Sequence, residues 1–176
     1  MQLYALCDQD LLDRRGIDLK IFIDICKKHD AKIIQYRNKS SDIAILKTQL
    51  IKIRQLYDGF LIINDAYELI DYCDGVHLGQ EDLSRIDSNP EKAVAIIRSI
   101  IGKDKLLGLS THNEDEIKEA NALDLNYIGL GAFRDTSTKS VPHVLGDKLD
   151  DLAKKSSHHV AAIGGVRLDD HFKHVS

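Results

Sequence analysis

The residues with the clearest chemistry stand at the ends of two apolar runs. Phe60-Leu-Ile-Ile63 leads into Asn64-Asp65, and Gly75-Val-His-Leu-Gly-Gln-Glu-Asp82 follows after the length of one short helix. Carboxylates at the ends of successive buried strands are costly to bury alone, so they commonly hold a cation or meet a charged ligand. Asp65 and Asp82 could share a metal ion. Arg37 and Lys39 leave another apolar run two residues apart, point to one side, and could grip a diphosphate. The pattern suggests an Mg²⁺-dependent site for a phosphorylated substrate.

Other clusters add to this with plainer alternatives beside them. Thr136-Ser-Thr-Lys139 puts two hydroxyls at alternate positions before a cation, as a phosphate-gripping loop would. Ile163-Gly-Gly-Val166 follows an Ala-rich run, and two glycines let a backbone approach an anion closely and offer it bare N–H groups. A tight turn would explain the same residues. Asn64-Asp65 could simply cap a helix starting near Ala66. His77 reads by itself as a satisfied core histidine, and His112 as helix entry ahead of Glu114, Asp115 and Glu116.

Short β-rich runs alternate with amphipathic stretches along the whole chain. The runs are Leu3–Leu6, Ala31–Tyr36, Phe60–Ile63, Gly75–Leu78, Leu106–Leu109, Tyr127–Leu130 and Val160–Ile163. Apolar residues at three- and four-residue spacing predict helices over Ile17–Lys28, Asp42–Leu56, Pro90–Ile101, Asn113–Leu123 and Leu145–Lys155, with short ones at Ala66–Tyr72 and Asp169–His174. Such alternation argues for parallel βα units, and near-continuous apolar strands for a sheet covered on both faces. An open doubly wound sheet and a (β/α)₈ barrel both satisfy this. Polar clusters follow six of the seven strands. Those ends converge in a barrel, which favours it, and no G-x-G-x-x-G loop follows the first strand. Residues 1–176 read as one domain, without linker or low-complexity segment.

Composition sets the remaining bounds. The 176 residues are 43% hydrophobic and 30% charged, with net charge −4, which gives no reason to expect nucleic acid or an anionic membrane as partner. No apolar segment approaches the roughly 18–20 residues of a membrane span, and the first residues do not form a signal peptide. Cys7, Cys26 and Cys73 are odd in number and widely spaced, so buried thiols in a reducing compartment are expected, and a cytoplasmic location with them.

Together these pieces resemble the thiamine phosphate synthases and their relatives, the thiazole tautomerases. The resemblance runs from Leu3 to about Val166 through Gln35-x-Arg37-x-Lys39, Ile63-Asn-Asp65, Gly75–Asp82, Gly108-Leu-Ser-Thr-His112, Tyr127-Ile-Gly-Leu-Gly131, Thr136-Ser-Thr-Lys139 and Ile163-Gly-Gly-Val166. It implies a TIM-type (β/α)₈ barrel and a transferase that couples hydroxymethylpyrimidine diphosphate to thiazole phosphate, releasing pyrophosphate. The implied mechanism is dissociative: diphosphate leaves, a pyrimidine carbocation forms, and the thiazole nitrogen attacks it.

Carried over, Gln35 holds the pyrimidine, and Arg37, Asn64 and Lys139 the diphosphate, with Lys39 and His77 also on substrate. Asp65 and Asp82 bind Mg²⁺, and Ser110 lies near the leaving diphosphate. Thr136, Thr138 and the amide of Gly165 hold the thiazole phosphate. Arg37, Lys139 and Ser110 form the catalytic group. Family members are often dimers or trimers, so a homo-oligomer is among the expectations.

Two departures stand out. Where the family has Gly-Pro, an apolar or aromatic pair and Pro, this chain reads Gly131-Ala-Phe-Arg-Asp135. That adds an Arg134 that either contacts phosphate or pairs with Asp135. The chain also stops at Ser176, about 25–35 residues short of the family and below the roughly 200-residue lower end for such barrels. Seven strands are counted, so the last βα unit is missing; a fragment, a covering partner chain or a lost function would each account for it. A tautomerase, with His112 as its acid/base, and a non-catalytic ligand-binding remnant are the alternatives. Retention of the Asn-Asp and Gln-Glu-Asp residues argues against the tautomerase.

Overall fold

The structure, a computed structural model, describes residues 2–39, 42–135, 144–167 and 169–175. The chain divides into two compact units, one of residues 2–77 and 100–106, the other of residues 78–99 and 107–176.

In the first unit, strands β1 (Tyr4–Asp8), β2 (Ile33–Arg37), β3 (Phe60–Asn64) and β4 (Gly75–Leu78, its last residue in the other unit) lie parallel in chain order. The register sets Asp8 opposite Arg37 and Asn64 opposite His77. The connections are α1 (Gln9–Arg15), α2 (Leu19–Lys28), α3 (Ile43–Leu56) and a 3₁₀ helix, Tyr67–Tyr72. Asp8, Asp18 and Asp42 cap the three α-helices, accepting from the amides of Leu11, Lys20 and Ala44 at 3.0, 2.7 and 2.9 Å. Each such cap satisfies a backbone donor that a helix start leaves orphaned.

The core explains the unbroken apolar strands. Leu61, Ile62 and Ile63 are all wholly buried, so both faces of β3 are covered, and Ile34 and Tyr36 continue the layer with Ile23, Leu50 and Ile53 of the helices. Each such side chain stabilises the fold by about 1.5–3 kcal/mol. At the strand starts polar staples take over. Arg54 pairs with Asp74, which also accepts from the Leu61 amide at 2.8 Å, and the Tyr57 hydroxyl donates to the Ala31 carbonyl at 2.8 Å.

The second unit holds β5 (Leu106–Thr111, its first residue in the other unit), β6 (Tyr127–Leu130) and β7 (His159–Ala162), again parallel and in chain order. Its helices are α4 (Gln80–Ile86), most of α5 (Pro90–Ile101), α6 (Glu114–Ala120) and α7 (Lys148–Ala153). Leu107, Ile128, Leu130, Ile97, Ile117 and Leu149 fill its core.

All seven expected strands are present, with ends shifted by up to two residues. Two helices, α1 and α4, were not expected, because each is only seven residues long and carries a single buried side chain, Leu12 or Leu83. The helix expected over Asp169–His174 is absent: its described residues form turns and bends, held by side-chain bonds rather than a helical ladder. Cys7, Cys26 and Cys73 are buried free thiols, as expected. Burial pushes them up to about 12, 11 and 11.

Candidate active site

In the first unit three adjacent strands share a line of side-chain hydrogen bonds that runs from the first residue of β1, through the middle of β2, to the last residue of β3. The Tyr4 hydroxyl donates to Oε1 of Gln35 at 2.7 Å, and Nε2 of Gln35 donates to Oδ1 of Asn64 at 2.6 Å. Nδ2 of Asn64 in turn donates to Oδ2 of Asp65. Parallel pairing of β1, β2 and β3 brings three residues from separate strands into this line, which sequence spacing alone does not show. Every amide orientation in it is set by its neighbours, because the carboxylate end accepts only.

Asp65 sits just past β3 in the left-handed region (φ 64), a conformation that Asp tolerates better than most side chains. Its amide donates to the carbonyl of His77 at 2.9 Å. The capping alternative does not hold: the 3₁₀ helix begins behind Ala66 with no side-chain cap. His77 is buried on β4, as its core reading expects.

Arg37, half-buried at the end of β2, donates through Nη1 to Oδ2 of Asp8 at 2.5 Å, and Asp8 is only 3% exposed. Lys39 is exposed, with Nζ 3.7 Å from Oδ2 of Asp10. Each cation meets an acid of the first βα unit, Asp8 at the end of β1 for Arg37 and Asp10 in α1 for Lys39. The apolar run predicts a first strand ending at Leu6 and so leaves Asp8 out of the site, but β1 runs two residues further and ends on that acid.

In the second unit Asp82 lies in the first turn of α4, partly exposed, and accepts from Nη1 of Arg85 at 2.8 Å. Gln80 donates through Nε2 to the Ser110 carbonyl at 2.6 Å, tying the start of α4 to the end of β5, where Ser110 is half-buried. His112 serves helix entry. Its amide and its Nδ1 both lie 2.9 Å from Oε2 of Glu116, while the Asn113 side chain caps α6 by accepting from the Glu116 amide at 2.9 Å. Thr136, Thr138 and Lys139 lie outside the described residues.

Gly164 and Gly165 take positive φ values of 81° and 69°, so both need the freedom glycine has. A Cβ on Gly164 would come 2.5 Å from Cβ of Ala132, and one on Gly165 2.8 Å from Cβ of Arg134. The turn is therefore pressed against the loop after β6. Arg134 forms its pair with Asp170, not with Asp135 or standing open for phosphate: Nη1 and Nη2 donate to its two oxygens, both at 2.6 Å. Asp170 gave no local signal, since it reaches Arg134 across 36 residues. The Arg134 guanidinium holds the Asp170 carboxyl down at about 2.

The family model for thiamine monophosphate synthase matches residues 3–174. The chain belongs to that family. It is 35% identical over 173 residues to the thiamine-phosphate synthase of Persephonella marina, covering 94% of this chain and 77% of that protein. It is 34% identical to the corresponding Dictyoglomus turgidum synthase, covering 94% and 72%. A solved thiamine phosphate pyrophosphorylase from Pyrococcus furiosus superposes with a TM-score of 0.74 at 23% identity, covering 94% of this chain and 76% of that one. The fold is thus α/β, the TIM-like synthase fold with seven parallel strands.

Among the described residues no group of three or more His, Cys, Asp or Glu side chains is arranged around a metal position. Asp65 and Asp82 offer carboxylate oxygens, the hard donors that Mg²⁺ takes, usually from one or two carboxylates plus substrate phosphates. In donor chemistry each carboxylate by itself suits that ion. No described helix is long and apolar enough to cross a membrane.

Proposed function

We infer that this protein is a thiamine phosphate synthase, a transferase that joins hydroxymethylpyrimidine diphosphate to thiazole phosphate and releases pyrophosphate. The observation that supports the reading is the hydrogen-bonded series Tyr4–Gln35–Asn64–Asp65, in which Gln35 would hold the pyrimidine and Asn64 the diphosphate.

Each residue has a role that its chemistry supports. Gln35 has a second N–H and a second lone pair beyond its bonds to Asn64 and Tyr4, and these would read the pyrimidine edge. Arg37 commits one N–H to Asp8, which leaves a guanidinium with further donors for the diphosphate. Lys39, Lys139 and Ser110 add charge and a hydroxyl at the leaving group. His77 would line the pyrimidine side. Thr136, Thr138 and the Gly165 amide would hold the thiazole phosphate. A leaving diphosphate gathers negative charge, and fixed cations neutralise it without any proton transfer, so no general base is required. Asp65 and Asp82 would hold Mg²⁺, which supplies charge neutralisation to phosphate oxygens when bound.

The test is direct. Purified protein incubated with both substrates and Mg²⁺ should form thiamine phosphate and pyrophosphate, followed chromatographically, and chelation should stop it. Absence of product would defeat the reading. Undiminished turnover in excess chelator would leave the synthase and remove the metal. The substrates are small molecules, and the cytoplasm is the compartment that three buried thiols suit.

A further inference from the structure

We propose that Arg134 and Asp170 are positioning residues for the thiazole phosphate, together locking the Gly164–Gly165 turn in the conformation that presents its amides. The proposal rests on the synthase reading. It begins from the planarity of the peptide unit: in a trans peptide the N–H of one residue points opposite to the carbonyl of the residue before it. Fixing three successive carbonyls therefore aims the three amides that follow.

The structure fixes all three. The Phe133 amide donates to the Ile163 carbonyl at 2.9 Å and the Arg134 amide to the Gly164 carbonyl at 2.8 Å. Nη1 of Arg134 donates to the Gly165 carbonyl at 2.9 Å. The amides of Gly164, Gly165 and Val166 are thereby turned away from the loop after β6. The first two ties are backbone; the third depends on a long side chain with many rotamers. Asp170 removes that freedom with its two-oxygen grip, and also accepts from the Arg167 amide at 2.7 Å, closing the turn it stands on. Arg134 lies 4.3 Å over the Phe133 ring, which meets Phe172 edge-on at 5.1 Å, and Asp150 holds the Lys173 and His174 amides, both at 2.9 Å.

Two consecutive glycines would otherwise sample many conformations, and an anion site built on them loses affinity when its donors are not held in place. The Phe133-Arg134-Asp135 departure from the family pattern thus has a use: the arginine does not touch the phosphate but holds the peptide that does. Only a guanidinium spans both partners in one plane, so lysine is no substitute.

The experiment compares parent, Asp170→Ala, Arg134→Lys and Arg134→Ala in steady-state coupling, varying each substrate separately. The expected result is a KM for thiazole phosphate raised on the order of tenfold in all three variants, with kcat and the KM for pyrimidine diphosphate within about twofold of the parent. Hydrogen exchange at the Gly164–Val166 amides should quicken in Asp170→Ala. An unchanged thiazole-phosphate KM in Asp170→Ala, in a protein whose circular dichroism matches the parent, would overturn the proposal. So would a lowered KM, which would mean that Asp170 withholds Arg134 from the phosphate. A parent with no coupling activity would bring down the synthase reading, and this proposal with it.

Discussion

Gln35, Asn64 and Asp65 are held by side chains rooted in adjacent strands of a buried sheet, whereas Gly164 and Gly165 are held by backbone bonds and one partly exposed arginine. The first arrangement cannot relax without moving strands whose apolar residues are wholly buried. The second can relax by a rotamer change at the surface. A substitution in the Tyr4–Gln35–Asn64–Asp65 line should therefore disturb fold and reaction together, while one around the glycine turn should disturb chiefly affinity. Rigid residues suit the reacting group, and an adjustable turn suits a phosphate that only needs an anchor.

The largest effect is expected at Arg37. Its removal leaves Asp8, 3% exposed, as a buried carboxylate whose one remaining bond among the described residues is to the Leu11 amide. Breaking such a pair from one side costs about 3 kcal/mol. Arg37→Ala should therefore lower the urea midpoint clearly as well as slow coupling. A midpoint equal to the parent's would show that Asp8 is adequately solvated and that the first region is looser than described.

Asp82→Ala should do the reverse. Its bond to Arg85 is an exposed pair three residues apart, worth about 0.3–0.5 kcal/mol, so stability should hardly change. Mg²⁺-dependent turnover should fall by about two orders of magnitude, as loss of a carboxylate ligand commonly causes. Turnover within a few-fold of the parent would remove Asp82 from the metal assignment. Against both, Asn113→Ala is a purely structural control: losing the α6 cap should cost about 1 kcal/mol and leave the KM values alone.

How far the chain could be read beforehand follows the same contrast. Unbroken apolar runs such as Phe60–Ile63 announce their strands, because burial on both faces leaves no room for polar residues. The residues that end those strands were legible as site candidates for the same reason: a polar side chain directly after such a run must find a partner or water. What they bond to was not legible. The Tyr4–Gln35 and Asp8–Arg37 bonds depend on register between β1 and β2, a relation set by packing and invisible to spacing along one strand. Short helices with one buried residue, α1 and α4, fall below any periodic signal. The Arg134–Asp170 pair was the least legible of all: its partners lie 36 residues apart, and Asp135 stood next door as the nearer choice.

That pair also gives the smallest prediction, and it separates the two regions by pH. The Arg134 guanidinium lowers the Asp170 carboxyl to about 2, against about 3.9 in an unfolded chain. A group depressed in the folded state contributes stability that is fully present above its unfolded value and is lost as pH falls through its folded value. The contribution should therefore persist to about pH 4 and disappear by about pH 2. Asp150 moves in the same direction: burial pushes it up, but the His174 and Lys173 amides and the His174 imidazole outweigh that and draw it down. Since the Arg134 end of the pair is partly exposed, solvent screens it and the effect on the whole fold should be slight. The measurement is the difference in urea midpoint between parent and Asp170→Asn, taken near neutrality and again below about pH 3. A small difference in favour of the parent near neutrality that closes in acid is expected. A difference that persists unchanged in acid would mean that the carboxylate of Asp170 is not what ties the last residues to the loop after β6.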